Sequence, residues 1–277
     1  MIKPAKREFH ILLATCILAL SVIGLFWVTN RGETPEYTLK LSTPVNGTIT
    51  MTGTSNPENS EKTPGNPLID EPSTITNHGL VKLSGPAGVK ALVFGGAVAE
   101  SQGTTNKEEL SWHALVSKAL LDKYPGNFQW HFKTTENATI NTVSGYAPEA
   151  TPDTDLIILC LGRNDWATVT TEDFKHRYEE LLAELKVLSP GANIFLVVEP
   201  PVKNVANNNK SFPYRQVIIE LGEKHQLPVI DEWTAFISDP TPLAGLLADG
   251  VNPNDKGYQV FAAEVVKGFE GYLSGEY

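Results

Sequence analysis

A short apolar run that ends in two glycines constrains this chain more than any other stretch. Ala91 to Phe94 reads as a fully buried parallel strand, and Gly95-Gly96 breaks it before the chain moves on through Ala97 and Val98 towards a helical segment. A strand entering a tight glycine turn is a common way to hold a reactive group at the carboxyl edge of an α/β sheet. The residue at this turn is Ala97, whose methyl group can do no chemistry.

The rest of the chain from Val89 repeats that alternation. Asn106 is placed to cap a helix running to about Tyr124, and Phe128 to Phe132 reads as a strand. Asn141 to Gly145 reads as a polar loop. Asp155 to Leu161 is the most strand-like run, and it opens directly into Gly162-Arg163-Asn164-Asp165-Trp166. A helix over Thr171 to Leu188, a strand over Asn193 to Val198 closed by Glu199-Pro200-Pro201, a helix over Pro213 to His225 and a short strand over Leu227 to Ile230 follow. A terminal helix to about Leu273 begins after Asp249-Gly250-Val251-Asn252-Pro253, with Asn252 read as its cap and Pro253 at its first turn. Short strands alternating with amphipathic helices predict an α/β domain with a mainly parallel sheet.

Ahead of that domain, Phe9 to Val28 is an almost unbroken apolar run, long enough to cross a bilayer as a helix. Lys3, Lys6 and Arg7 precede it, which puts the N-terminus in the cytoplasm and the main domain outside the membrane. A cleaved signal peptide is the rival reading, but no small-residue cleavage site follows Trp27. A lipoprotein reading at Cys16 meets a threonine just before it and an apolar run that continues past it. The expected organisation is residues 1–8 cytoplasmic, 9–29 a single-pass signal anchor, 30–80 a spacer and 81–277 the main domain. The spacer is rich in Thr, Pro, Asn, Gly and Ser, with a hairpin signal over 37–51 around Asn46-Gly47.

Charge and cysteine usage exclude several classes. A formal charge of −10 argues against nucleic acid as a partner. The two cysteines, Cys16 and Cys160, lie in the apolar N-terminal run and in a core strand, so no disulfide framework exists. No His/Cys cluster has metal-ligand spacing and no glycine loop has nucleotide-site context, so no cofactor or metal is expected. His113 within a helix and His225 at a helix end read as packing or dipole-favoured residues.

Four stations fall in order on loops that follow strands: Phe94-Gly95-Gly96-Ala97, Gly145, Gly162-Arg163-Asn164-Asp165 and Asp249-Gly250-Val251-Asn252-Pro253. This order and spacing resembles the SGNH/GDSL hydrolases, a family of esterases, lipases and carbohydrate O-acetyl esterases. The resemblance covers about Val89 to Tyr272. It implies a flavodoxin-like three-layer α/β/α sandwich. The family's motifs are Gly-Asp-Ser, a loop glycine, Gly-x-Asn-Asp and Asp-x-x-His; the third is intact here, and the first and last are not.

By that resemblance the nucleophilic serine falls on Ala97, the aspartate before it on Gly96, and the general-base histidine on Asn252. Asp249, which would orient the histidine, and Gly145 and Asn164, on the oxyanion side, remain. Serine hydrolysis needs an oxygen nucleophile and a base, and neither a methyl nor an amide supplies one. The expectation is therefore a pseudoenzyme that binds an acylated or acetylated glycan of the cell envelope, or that serves as a scaffold in an envelope protein complex. The alternative is an active esterase, O-acetyl esterase or acyltransferase with a rearranged set, in which Ser101, one helical turn beyond Ala97, is the substitute nucleophile. Asp165 and Asp249 could form an acid/base pair, but Asp165 can equally fix its own loop and Asp249-Gly250 suits a turn.

Overall fold

A computed structural model describes residues 78–277. The anchor over 9–29, the hairpin signal over 37–51 and nearly all of the 30–80 spacer lie outside the described residues. No helix among the described residues is long and apolar enough to cross a membrane.

Five strands form one parallel sheet in the order β2-β1-β3-β4-β5, with β1 over Val89–Gly95, β2 over Phe128–Thr134, β3 over Leu156–Cys160, β4 over Asn193–Val198 and β5 over Val229–Asp231. That is the flavodoxin-like strand order, with the chain reversing direction of travel at β1/β3. All four neighbouring pairs run parallel, so every strand delivers its carboxyl end to the same edge. Helices α1 (Lys107–Leu110), α2 (Trp112–Leu121), α3 (Ile140–Ser144), α4 (Thr171–Leu188), α5 (Val205–His225), α6 (Glu232–Ser238) and α7 (Asp255–Ser274) complete the domain.

Alternation along the strands divides the core in two. Ala91, Val93 and Cys160 pack with Trp112, Phe261 and Phe269 of α2 and α7 on one face. Leu92, Phe94 and Leu159 pack with Phe174, Tyr178 and Ile218 of α4 and α5 on the other. Successive side chains on a strand point to opposite faces, so a strand buried on both must be apolar throughout, which is why β1 and β3 read as unbroken apolar runs. β2 is different. It is the edge strand, its Phe128, Trp130 and Phe132 join the first face, and Gln129 and His131 are exposed.

Several expected elements differ in extent. The helix read as one unit from Asn106 is two: Ser111 takes an extended conformation and its Oγ accepts the Ala114 N–H, ending α1 and capping α2. The expected loop at 141–145 is the helical turn α3, held by Ser144 Oγ donating to the Ile140 carbonyl and by burial of Ile140 and Val143. α5 begins at Val205 rather than Pro213, because Asn204 accepts the N–H groups of Ala206 and Asn207. Pro213 lies inside α5 on its exposed side, where the carbonyl it leaves unbonded can be hydrated. The last strand is Val229–Asp231, one or two residues later than expected. α7 is capped by Asn254, whose Oδ1 accepts the Gly257 N–H at 3.0 Å, and not by Asn252.

At the opposite edge of the sheet a single carboxylate ties the start of the domain together. Asp155, fully buried at the entrance to β3, accepts from Lys82 Nζ at 2.7 Å, from the Lys90 N–H at 2.9 Å and from the Gly79 N–H at 3.4 Å. Removing one partner of a buried pair leaves the other without compensation. Asp155→Ala is expected to lower unfolding free energy by about 3 kcal/mol, read as a fall in urea midpoint at unchanged m-value. A change within experimental error would show that Lys82 and the two N–H groups find water instead.

Candidate active site

The turn after β1 is built by close approach. A Cβ on Gly95 would sit 2.3 Å from the Cys160 carbonyl oxygen, so only glycine lets β1 end against β3 there. Residues 96–103 then form consecutive turns with no helix: the Glu100 N–H donates to the Gly96 carbonyl, Ser101 N–H to Val98 and Gln102 N–H to Ala97. Ala97 is 6% exposed.

This turn touches both of the other loops. A Cβ on Gly96 would lie 3.7 Å from Asn164 Nδ2, and one on Gly103 would lie 3.3 Å from the Asn252 Cβ. The Tyr258 hydroxyl of α7 donates to the Gln102 carbonyl at 2.7 Å and anchors the turn from below. The structure thus gathers the β1 turn, Asn164 and Asn252 at one edge.

Ser101 is not one helical turn from Ala97, as the sequence suggested. It takes a left-handed conformation at φ 58° and is fully buried, and its Oγ accepts the Trp112 N–H at 3.2 Å. Its hydroxyl organises the start of α2.

Asn252 occupies its position in a histidine-like way. Its Nδ2 donates to Asp249 Oδ2 at 3.0 Å, and its own N–H donates to Asp249 Oδ1 at 2.7 Å, where the Val251 N–H also arrives at 2.8 Å. Asp249 and Gly250, at φ +83°, make the turn expected of that pair. Burial would push the Asp249 carboxyl up, but the N–H groups of Asn252 and Val251 and the Asn252 amide hold it below its ordinary value. The carboxylate is therefore ionised, which fixes the amide with Nδ2 towards it. Asn252 Oδ1 is left buried with no hydrogen-bond partner.

The Gly162-Arg163-Asn164-Asp165 loop is a hub. Asp165 does not merely fix its own loop: its Oδ1 accepts the Ile140 N–H at 2.8 Å, tying α3 and its C-cap Gly145 to this segment. Asn164 Nδ2 donates to the Ala138 carbonyl at 3.2 Å, and the Gly145 N–H to the Thr142 carbonyl at 3.2 Å, so both residues of the expected oxyanion side already hold a protein acceptor. Arg163 links two loops, through its N–H on Glu199 Oε2 at 2.9 Å and its Nη1 on the Val251 carbonyl at 2.8 Å. Burial raises the Glu199 carboxyl, with Arg163 opposing. Reading the motif alone missed this strut; its signal was Glu199, a carboxylate closing an apolar strand.

Cys160 is no substitute nucleophile. It is buried at the end of β3, and desolvation, with Glu199 adding, drives its thiol well above its ordinary value. Among the described residues no group of three or more His, Cys, Asp or Glu is gathered to hold a metal ion.

A doubly covered parallel sheet, with a strained turn after its first strand, a Gly-x-Asn-Asp loop after its third and an Asp-x-x-Asn turn before its last helix, defines the scaffold of a serine acyl hydrolase. The chain belongs to the GDSL-like lipase/acylhydrolase family, whose model matches residues 93–260. Among solved structures it is similar to an alpha/beta hydrolase from the metagenome of Lake Arreo, Spain, at 17% identity and TM-score 0.56, over 68% of this chain and 98% of that one. It is similar to an acetylxylan esterase from Geobacillus stearothermophilus at 17% identity and TM-score 0.56, over 68% and 96%. A lipase/acylhydrolase from Enterococcus faecalis aligns at 19% identity and TM-score 0.57, over 66% and 96%. At these identities the likeness shows the fold. No curated protein matches the chain by sequence.

The hub makes a pH prediction. Burial pushes the Asp165 carboxyl from 3.8 up to about 7, and its Oδ2 has no partner. A carboxyl raised in the folded state favours folding fully below its unfolded value, and that contribution is lost as pH climbs towards the folded value. Stability should fall between about pH 4 and 7, by at most about 1.4 kcal/mol per pH unit. Asp165→Asn keeps an acceptor for the Ile140 N–H and should flatten this slope in urea titrations at pH 5 and pH 8. An unchanged slope would assign it to Glu199 and Glu232, which burial also raises.

Proposed function

We propose that this protein is a membrane-anchored, extracytoplasmic member of the GDSL-like family that binds an acylated or acetylated glycan of the cell envelope without hydrolysing it. The observation that carries the reading is the pairing of Ala97 with Asn252. The nucleophile position holds a methyl group, and the base position holds an amide whose Nδ2 is committed to Asp249.

Magnitudes decide against ordinary turnover. Losing serine or histidine alone costs on the order of 10⁶ in kcat in a comparable triad, and the two losses overlap. A preorganised oxyanion site alone retains roughly 10³–10⁴ over water. The rearranged set that would rescue activity needs Ser101, and that hydroxyl is buried on the Trp112 backbone. The glycan class is carried over from the family and from the acetylxylan esterase among its structural neighbours, which is an analogy of fold. The anchored, extracytoplasmic placement rests on the apolar run from Phe9 to Val28 and the basic residues before it. An envelope complex assembled around this domain is the companion role.

The test is hydrolysis of p-nitrophenyl acetate by the full chain, beside a variant carrying Gly96→Asp, Ala97→Ser and Asn252→His. A Cβ at position 96 would be in van der Waals contact with the Glu136 carbonyl oxygen, 3.4 Å away. The native chain should match buffer, and the restored one should exceed it by about 10³-fold or more. Hydrolysis by the native chain that Ser101→Ala abolishes would overturn the reading. Silence from both forms would move the function from the cleft to the surface of the domain.

A further inference from the structure

Beside the β1 turn lies a hollow of about 320 Å³, lined by Glu100, Lys107, Glu108, His113 and Phe132. That volume suits one ring of a small ligand. Two aromatic rings line it, His113 of α2 and Phe132 of β2, with centroids 4.7 Å apart and planes inclined at 54°. Its rim is charged in both signs, with Lys107 Nζ 3.9 Å from Glu100 Oε1. Burial, reinforced by Lys107, drives the His113 imidazole down to about 4, so at neutral pH the ring is uncharged. Its Nδ1 has no hydrogen-bond partner, while Nε2 meets Ser111 Oγ at 3.2 Å.

The hollow is coupled to the cleft by one turn of chain. Glu100 stands three residues beyond Ala97, and its N–H donates to the Gly96 carbonyl at 3.3 Å. Nothing in the hydrolytic scaffold uses these five side chains.

We infer that this hollow is a second ligand site, accepting one ring of a neutral glycan that lies along the β1 turn. The chemistry of the lining selects that class. An uncharged imidazole and a phenyl ring offer apolar faces to the C–H face of a sugar. Two carboxylates and an ammonium at the rim form charge-assisted hydrogen bonds with its hydroxyls. An anionic sugar meets two carboxylates for one lysine and is disfavoured, and an acyl chain would leave the rim groups without a role. The choice of glycan rests on the proposed function; the site does not.

Trp112 and Trp130 make the site observable, since their ring centroids lie 5.7 and 6.0 Å from that of His113. The full chain is titrated with xylotriose and with tri-N-acetylchitotriose, following tryptophan emission, with trigalacturonate and octanoate as counter-probes. At least one neutral trisaccharide should saturate the signal. Phe132→Ala should weaken it about 10-fold, as truncation of an aromatic anchor does. Should that variant fail to fold, Glu100→Gln with Glu108→Gln, both exposed, should weaken it several-fold. Glu172→Gln, an exposed residue of α4 on the other face of the sheet, should leave the tryptophan signal in place. No response to either neutral sugar, a response to octanoate or trigalacturonate alone, or a response indifferent to the rim variant would overturn the inference. Loss with Asn164→Ala but not with the rim variant would remove this site and keep the cleft reading; loss with the rim variant supports this site, and the cleft reading stands or falls on the ester assay.

Discussion

The contact between Gly95 and the Cys160 carbonyl governs this molecule. β1 and β3 are neighbours in the sheet, in a register that pairs those two residues, and the missing side chain at Gly95 lets the strands finish flush. Because the pair is parallel, the turn after β1 and the loop after β3 leave from the same place. Ala97 and Asn164 are thereby delivered to one edge whatever their chemistry. α7 closes the arrangement by anchoring the turn through Tyr258 and presenting the Asp249–Asn252 loop at its start. The scaffold is thus held by backbone approach and buried aromatic packing.

The 249–252 loop adds a side-chain support of its own. The asparagine makes the hydrogen bond to Asp249 that a histidine ring nitrogen would make, so the aspartate keeps a partner and its loop keeps its shape. Glu199 and Arg163 brace the same loop from the other side. Asp249 is exposed, so what the amide at 252 keeps is the shape of the turn rather than a buried charge. The asparagine at 252 therefore supports the loop with an amide, which is no proton acceptor at neutral pH.

The alternation of strands and helices was legible because β1 and β3 are buried on both faces and so must be unbroken apolar runs, each soon followed by glycine. The family followed from four stations in order, the Gly162-Arg163-Asn164-Asp165 loop among them. What was not legible depended on contacts between residues distant in sequence. Asp165 binds Ile140, twenty-five positions away, and that bond turns an expected loop into α3. Ser101 looked available by helical spacing, yet the turn is not helical and the hydroxyl belongs to Trp112. Asn252 read as the cap of the last helix, but its side chain is taken by Asp249, and Asn254 caps α7 instead. Pro213 misled for a related reason: proline favours a helix start, but Asn204 had already supplied one and the proline faces water.

The methyl group of Ala97 has a consequence for how occupancy of this cleft could ever be observed. On the proposed reading, a reagent that labels serine hydrolases through the nucleophilic oxygen would meet a methyl group at Ala97, and an occupant would be held by non-covalent contacts, its residence time a dissociation rate rather than the lifetime of an acyl intermediate. Covalent capture would then pass over this chain in silence, whereas equilibrium methods that sense a reversible guest would not.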